Sequence, residues 1–271
     1  MKVSIITVCF NEEKTISDTC ASIVCQTFKD FEWIVVDGGS TDATLKVLNE
    51  YRTHISHLIS EKDRGIYDAM NKGLAKASGT YLLFLNGGDA LHDPHVLYDI
   101  FVARSPHADI IYGNERQFKE DGAWRVLGNS YKFDVNFWMF GYKLRHQSTF
   151  IRRNLFEKYG LYRLKYRSAG DYEMFLRFIF ENKCSVEYID RVIDNYRFYD
   201  GLSLMHAHIG DNEVRLIQKV YFSIFTRFYY LHRRFILKTI ASLIPFRDCR
   251  HFIRSLYRGE RPPNWITPQK V

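Results

Sequence analysis

Apolar positions in the first third of the chain form two alternating kinds of segment. Three apolar runs rich in β-branched or aromatic residues predict strands, at 2–9, 32–37 and 80–86, and we expect a further short strand at 57–61. Between them apolar residues recur at helical spacing, which predicts helices at 16–24, 45–51 and 66–77. Because strands alternate with helices, the sequence predicts an α/β fold with a mostly parallel sheet and crossover helices.

The pattern changes after a further strand candidate at 109–113. Residues 114–150 are rich in aromatic side chains without a clean helical period, which predicts strands and a substrate-facing loop. Beyond them we expect helices at 154–160 and 170–182 and two short strands around Asp190–Arg191. The chain then becomes helical after Gly201, with a Pro-containing tail from Arg261. We therefore predict a main domain at 1–205 and a helical, basic amphipathic extension at 206–271.

Charge is unevenly distributed along the chain. The 38 Lys and Arg against 31 Asp and Glu give a formal net charge of +7, with 46% hydrophobic residues. Residues 227–271 hold ten basic and two acidic side chains, whereas residues 1–226 hold 28 and 29. The composition is that of a globular protein. Electrostatic arguments about partners therefore concern the C-terminal segment.

Cysteine usage and hydropathy constrain the compartment. The five cysteines are an odd number without C-x-x-C spacing, which favours a reducing compartment and argues against a zinc site or a disulfide framework. The N-terminal apolar stretch meets Asn11, Glu12 and Glu13 without a cleavage site, as a first strand does and a secretory signal does not. No window has the 18 or so apolar residues of a bilayer span, so any membrane contact is expected at the surface.

The residues that end the four predicted strands are unusually polar. They are Asn11–Glu12, Asp37–Ser40, Glu61–Arg64 and Asn86–Asp89. Ligands of open parallel sheets bind beyond the carboxyl ends of the strands, so these groups should converge on one edge. Asp, Asn and Gly also form turns, which is the alternative interpretation of each end taken singly.

The chemistry of this edge favours a metal-bound diphosphate. The sequence lacks the G-x-G-x-x-G dinucleotide pattern and a P-loop. Carboxylates repel phosphate, but a divalent cation between them neutralises both, and hard oxygen ligands suit Mg²⁺ or Mn²⁺. The sequence therefore predicts a nucleotide-diphosphate ligand held through Mn²⁺ or Mg²⁺.

Three motifs in order carry a family resemblance, namely VSIITVCFNEE, VVDGGSTDAT and EKDRGIYDAMNKGLAKASGTYLLFLNGGD. Together they resemble the family 2 inverting glycosyltransferases with the GT-A fold, in the branch that builds bacterial capsule, exopolysaccharide and O-antigen chains. The similarity extends over residues 1 to about 200. It implies an enzyme that takes a sugar from a nucleotide-diphosphate-sugar.

The resemblance also implies roles for individual residues. It places Asp37 and Asp63 at the nucleoside, Arg64 near the base or diphosphate, and Asp89 on the metal. Asn11, Asn86 and His146 are also expected in the nucleotide-sugar site, His146 in a supporting role. Relatives often carry paired acids where this chain has Asp37-Gly38 and Gly88-Asp89, so the metal dependence should be weaker. A turn residue remains the alternative for Asp37.

The same resemblance implies a general base. In the family it is an aspartate at the start of a helix, and SAGDYEMFLR supplies Asp171. Glu173 lies two residues further and should face another side of the helix. An acid favoured by the helix dipole is the alternative for Asp171.

The C-terminal segment has a pattern of its own. Over 227–244 a broad apolar face accompanies a basic stripe of Arg227, Arg234 and Lys238, as in helices that lie on anionic membranes. Packing on the main domain or on a second copy of the chain is the alternative. No nucleic-acid-binding motif is present, so nucleic acid is not expected as a partner.

Taken together, these patterns predict an inverting, metal-dependent glycosyltransferase that transfers sugar to a lipid-linked glycan acceptor. We expect a cytoplasmic protein, peripherally bound to the inner face of the cell membrane. A nucleotidyltransferase would need a basic Gly-rich loop where this chain has Asn11-Glu12-Glu13. A non-catalytic binding protein with a degraded site is the other alternative, and the retention of Asp63, Asp89 and Asp171 argues against it.

Overall fold

A computed structural model describes residues 2–128, 130–139, 144–197 and 207–243, together with Ile266. Its first four strands are β1 (Val3–Cys9), β2 (Phe31–Asp37), β3 (His57–Ser60) and β4 (Tyr81–Phe84). They are all parallel and lie in the order β3-β2-β1-β4. The predicted α/β arrangement with crossover helices is confirmed, and the four carboxyl ends lie along one edge.

The sheet continues with strands of mixed direction. They are β5 (Ala90–Leu91), β6 (Ile110–Phe118), β7 (Trp124–Leu127), β8 (Thr149–Arg152) and β9 (Val186–Arg197). The order runs on from β4 as β8-β6-β9-β5, with β7 paired to β6. β8 is antiparallel to both neighbours, whereas β6 and β9 are parallel. This half of the sheet places β9 and β5 beside the end of β4.

Helices cover both faces of the sheet. They are α1 (Ile16–Val24), α2 (Thr44–Glu50), α3 (Ile66–Leu74), α4 (Val96–Tyr98, continued as a π-helix over Asp99–Arg104), α5 (Val135–Met139), α6 (Arg153–Tyr159), α7 (Gly170–Phe175, continued as a π-helix over Leu176–Glu181), α8 (Ala207–Tyr221) and α9 (Ile224–Leu243). Alternate strand residues serve opposite faces, since Ile5 packs with α1 and Ile6 packs with α3.

Two local predictions differ from the structure. Residues 186–197 form one strand, and the expected break at Asp190–Arg191 is a register irregularity in its pairing with β6. The polar pair marks this bulge, where the Asp190 side chain accepts a hydrogen bond from Asn114 at 2.9 Å. α5 interrupts the region predicted as strands and loop, because five residues are too few to produce a helical period.

α8 packs into the main domain through apolar side chains, whereas α9 reaches it through a polar contact, in which Arg233 donates to Asn136 of α5 at 3.0 Å. Val214, Ile217 and Phe222 join the same buried cluster as the sheet. α9 instead exposes large apolar side chains, including Phe228 (61%) and Phe235 (70%). Helices are thus confirmed in the C-terminal segment, while the boundary at 205 stays a prediction. Residues 244–265 and 267–271, with most of the predicted Pro-containing tail, lie outside the described residues.

Among the described residues, none of the helices combines the length and apolar character that a bilayer span requires.

Candidate active site

Asn11 joins the end of β1 to the turn after β2. Its backbone is left-handed, with φ 54°, and its Oδ1 accepts the N–H of Thr41 at 2.9 Å. The N–H of Asn11 donates to Ser40 Oγ at 2.8 Å. Asn11 therefore holds two neighbouring strand ends together at the edge where it was predicted.

Asp37 ends β2 and is fully buried. Its carboxylate accepts the N–H of Gly39 at 3.2 Å and of Ser40 at 3.1 Å, and the hydroxyl of Ser60 on β3 at 2.7 Å. The hydroxyl of Ser40 also donates to it. In the free protein Asp37 therefore organises the turn, which agrees with the alternative interpretation of Asp37 as a turn residue. Its contact with a nucleoside stays a prediction.

Asp63 lies against the turn that Asp37 organises. A Cβ built on Gly38 would be 2.5 Å from Asp63 Oδ2, so this carboxylate occupies the space that a side chain at 38 would need. The Phe10 ring borders the same point at 3.4 Å and is 56% exposed. A carboxylate and an open aromatic face thus flank one surface, and this combination suits a nucleobase. The sequence analysis missed Phe10, although an aromatic residue between an apolar strand and a polar strand end was a usable signal.

Arg64 forms an ion pair at the start of α3. Its guanidinium lies 3.0 Å from Asp68 and its side chain is 76% exposed. To contact a phosphate, the Arg64 side chain would have to leave this ion pair. Its role near the base or diphosphate stays a prediction.

Asp89 is a buried carboxyl at the end of β4, only 7% exposed. Burial raises its pKa to about 7, the His146 imidazole opposes this rise, and the carboxylates of Glu115 and Glu12 add to it. The side chain of Glu12 fills the space beside Gly87, whose Cβ would lie 3.1 Å from Glu12 Cγ. Asp89 is thus placed where its negative charge is poorly compensated.

Two further acids face Asp89 from the second half of the sheet. Glu115 on β6 and Asp194 on β9 pair in register, and they are 1% and 0% exposed. Arg145 Nε lies 2.7 Å from Glu115 Oε1, whereas neither oxygen of Asp194 has a hydrogen-bond partner among the described residues. Burial raises the pKa of Asp194 well above its ordinary value, and Glu115 and Asp89 raise it further. The sequence analysis did not find this acidic cluster.

His146 connects the end of β4 to the start of α7. Its Nε2 lies 3.0 Å from Asn86 Nδ2, and its Nδ1 lies 3.6 Å from Asp171 Oδ2. Burial alone would lower the pKa of His146, but the carboxylates of Asp171, Asp89 and Glu115 raise it above its ordinary value. The structure therefore brings together Asn86, His146 and Asp171, which the sequence places far apart.

Glu173 differs from Asp171 in its surroundings. It is fully buried, with Arg163 at 3.0 Å and Arg177 at 3.3 Å, and it accepts the Tyr221 hydroxyl at 2.7 Å. The Asp171 side chain is 16% exposed. Glu173 therefore serves α7 structurally, and only Asp171 of the pair is available to a bound molecule.

The donor set partly fits a divalent cation. Among the described ranges no three His, Cys, Asp or Glu side chains are arranged to hold a metal between them. Asp89, Glu115 and Asp194 nevertheless face one another with Arg145 and His146 as the nearby cationic groups. A divalent ion at Asp89 would offset this excess of negative charge, provided that oxygens of a ligand complete its coordination.

Comparisons with known proteins agree on one family. The sequence model described as "Glycosyl transferase family 2" matches residues 4–178. A relative named "PGL/p-HBAD biosynthesis glycosyltransferase" from Mycobacterium bovis is 34% identical over 187 residues, covering 67% of this chain and 71% of the relative.

Two solved structures share the fold at low identity. S. aureus TarS 1–349 in complex with UDP-GlcNAc has a TM-score of 0.59 and 18% identity, over 95% of this chain and 71% of TarS. The mannosyltransferase PcManGT from Pyrobaculum calidifontis, in complex with GDP-Man and Mn²⁺, has a TM-score of 0.55 and 16% identity, over 97% of this chain and 66% of PcManGT.

Proposed function

The chain belongs to glycosyl transferase family 2, and from this membership we propose that it transfers a sugar from a nucleotide-diphosphate-sugar to a lipid-linked glycan acceptor with inversion. The proposal rests on two contacts of the His146 ring, one with Asn86 and one with Asp171. Asp171 is 16% exposed, and the carboxylates of Asp171 and Asp89, the candidate metal ligand, both raise the pKa of His146, which supports a role for both in one site. The acceptor would be a growing bacterial capsule, exopolysaccharide or O-antigen chain.

The nucleoside would lie at the ends of β1, β2 and β3. Phe10 offers an aromatic face for stacking, and Asp63 offers an acceptor for base N–H groups beside it. Asp63 supplies the carboxylate that Gly38 lacks, because it occupies the volume of a side chain at that position. Asn11 and Asp37 hold this surface in shape through the turn that they organise.

The diphosphate would reach Asp89 through Mn²⁺ or Mg²⁺. The ion would polarise the diphosphate oxygens and stabilise the charge of the leaving group. Asp89 would hold it, with Glu115 and Asp194 contributing negative potential from behind. The Mn²⁺ in the complex of PcManGT supports a divalent ion in this fold.

Asp171 would act as the general base. Its Oδ2 accepts the proton of the acceptor hydroxyl while the hydroxyl oxygen bonds to the anomeric carbon. The bond between that carbon and the diphosphate oxygen breaks, and its electron pair leaves with the nucleoside diphosphate. Attack from the face opposite the leaving group inverts the configuration.

The C-terminal helices would bring the enzyme to its acceptor. Exposed apolar residues continue from α8 onto α9, whose sequence also holds four basic residues; the apolar ones are Leu216, Val220, Ile224, Phe225, Phe228, Tyr229, Phe235 and Ile236. Such a surface suits the cytoplasmic face of an anionic membrane. Much of the apolar face predicted from sequence is exposed rather than packed on the main domain, although a second copy of the chain remains the competing occupant. The side chains of Arg234 and Lys238 lie outside the described residues.

A thermal-shift panel tests the proposal without knowledge of the acceptor. UDP, GDP and dTDP, and then UDP-GlcNAc and GDP-Man, are added with Mn²⁺ or with EDTA. A ligand that binds only the native state raises the melting temperature, so one nucleotide class should stabilise the protein with Mn²⁺ and less without it. No response to any member would contradict donor binding and favour the non-catalytic alternative.

Inversion is tested on the donor that the protein consumes. When water replaces the acceptor, an α-linked donor should first release the β-anomer, visible by proton NMR before mutarotation. Early appearance of the α-anomer would contradict the single displacement.

A further inference from the structure

Tyr67, near the start of α3, reaches the first turn of α7. Its hydroxyl accepts the N–H of Gly170 at 2.8 Å and, more loosely, that of Asp171 at 3.4 Å. The same oxygen lies 3.4 Å from Asp171 Oδ1. The side chain is only 6% exposed, so water does not replace these contacts.

The direction of these hydrogen bonds is set by their partners. Backbone N–H groups can only donate, so they occupy the acceptor positions of the Tyr67 oxygen. Its single proton is then available to Asp171 Oδ1. Burial and the nearby Asp171 carboxylate raise the pKa of Tyr67 well above its ordinary value, which keeps this proton in place.

Close packing between Tyr67 and Gly170 maintains the contact. A Cβ on Gly170 would lie 2.7 Å from two carbons of the Tyr67 ring, so any larger residue at 170 would push the ring away. The ring also stacks on Tyr162 with centroids 5.3 Å apart. The tyrosine is thus confined between α7 and Tyr162.

We propose that Tyr67 is a positioning residue for the general base Asp171. Together with the N–H of Tyr172, which donates to Oδ1 at 2.9 Å, it holds one carboxylate oxygen. The other oxygen, Oδ2, remains directed toward His146 and the acceptor side. This inference rests on the proposed function, in which Asp171 takes the acceptor proton.

Loss of the Tyr67 hydroxyl has two consequences. The Gly170 N–H loses its acceptor at the start of α7, which loosens that turn. The ionised form of Asp171 loses a donor, so its carboxylate becomes less precisely held and less readily ionised. Small misplacement of a reacting group can lower turnover about 100-fold.

The experiment compares Tyr67→Phe with Tyr162→Phe. Both variants remove one buried hydroxyl and keep the stacked pair, but the Tyr162 hydroxyl has no hydrogen-bond partner among the described residues. Hydrogen exchange of the peptide covering 168–174 should quicken in Tyr67→Phe only. Overlapping exchange in the two variants would overturn the proposal, and this readout needs neither donor nor acceptor.

Kinetics provide the second readout, with hydrolysis of UDP-GlcNAc or GDP-Man as the probe. Tyr67→Phe should lower kcat about 10- to 100-fold with KM for the donor unchanged, and move the acidic limb of the kcat profile to higher pH. Among the described residues, Tyr67, Tyr162 and His146 interact with Asp171, and the last two are unchanged in this variant. A wild-type kcat and pH profile in Tyr67→Phe would overturn the proposal.

Asp171→Asn separates this inference from the function on which it rests. If Asp171→Asn keeps only residual turnover, Tyr67→Phe in that background should not lower it further. If Asp171→Asn keeps wild-type turnover, the assignment of the base is wrong, whatever Tyr67→Phe does. If Asp171→Asn loses turnover and Tyr67→Phe behaves as wild type, the assignment of Asp171 as base is retained and the positioning role of Tyr67 is wrong.

Discussion

Replacement of Asp89 by asparagine should stabilise the metal-free protein while abolishing transfer. Asp89 is 7% exposed, and burial raises the pKa of its carboxyl from 3.8 to about 7. Asparagine keeps the size of the side chain and removes the charge that Glu115 and Glu12 oppose. The site therefore holds its charge at a cost in stability, as expected for a residue retained for function.

The size of this stability gain follows from the difference between the pKa of the Asp89 carboxyl in the folded protein and its pKa in the unfolded protein. A group whose pKa is raised on folding binds its proton more tightly in the native state, so stability is lost as pH rises from 3.8 to about 7. Each pKa unit corresponds to about 1.4 kcal/mol. Asp89→Asn should thus gain about 4 kcal/mol at pH 8, less than half of that at pH 5, and little near pH 3.5.

Urea unfolding at pH 5 and pH 8, in buffer with EDTA, measures this gain. Glu32→Gln is the matched control, because Glu32 is also buried. Burial alone would raise the pKa of Glu32, but hydrogen bonds from Ser4, Ser78 and Gly79 lower it below its ordinary value. Relative to the wild type, this control should therefore lose a similar amount of stability at pH 5 and pH 8, and the loss should shrink only as pH falls below 4.5.

The electrostatic reasoning would be refuted by an Asp89→Asn variant that is no more stable than wild type at pH 8. It would also be refuted by a gain of equal size at pH 5 and pH 8, because a gain that does not depend on pH cannot come from a titrating carboxyl. Addition of Mn²⁺ with the cognate nucleoside diphosphate should then stabilise the wild type and leave the variant unchanged.

Three further variants test the loop at 167–169 before α7, the nucleoside surface and the helical extension. Glu213→Gln should lower stability by about 1–3 kcal/mol in urea unfolding, because its carboxylate accepts three backbone N–H groups at 2.7–2.9 Å before α7; an unchanged midpoint would contradict this. Gly38→Ala should weaken nucleoside diphosphate binding in calorimetry, since its Cβ would displace Asp63, and unchanged affinity would argue against a base site there. Phe228→Ser with Phe235→Ser should abolish co-sedimentation with anionic liposomes; a wild-type protein that ignores such liposomes and self-associates would indicate a second copy instead.

The first half of the sheet could be predicted because its signals are local. Strands β1, β2 and β4 are largely apolar and buried runs, and all four strands are followed by polar residues that the parallel arrangement brings to one edge. Asn86, Asp89 and Asp171 were predicted as site residues partly from these ends and partly from the family resemblance, and their roles stay predictions. His146 was expected only in support, and the structure shows how it connects two of them.

The residues that the sequence analysis missed depend on contacts between distant segments. Glu115 and Asp194 lie within strands, and only the register of β6 against β9 places them side by side behind Asp89. Tyr67 lies in a helical motif whose period explains its burial but not the contact of its hydroxyl with α7. Such contacts follow from tertiary packing, which no local spacing in the sequence encodes.

Comparison of donor affinity with turnover in Asp171→Asn tests the central claim most directly. Calorimetry gives the affinity for the nucleoside diphosphate with Mn²⁺, and release of nucleoside diphosphate from the nucleotide-sugar gives the turnover. Because Asp171 takes a proton and does not hold the nucleotide, affinity should stay near that of the wild type while turnover falls by about two to four orders of magnitude. Loss of affinity, or turnover equal to the wild type, would contradict the account.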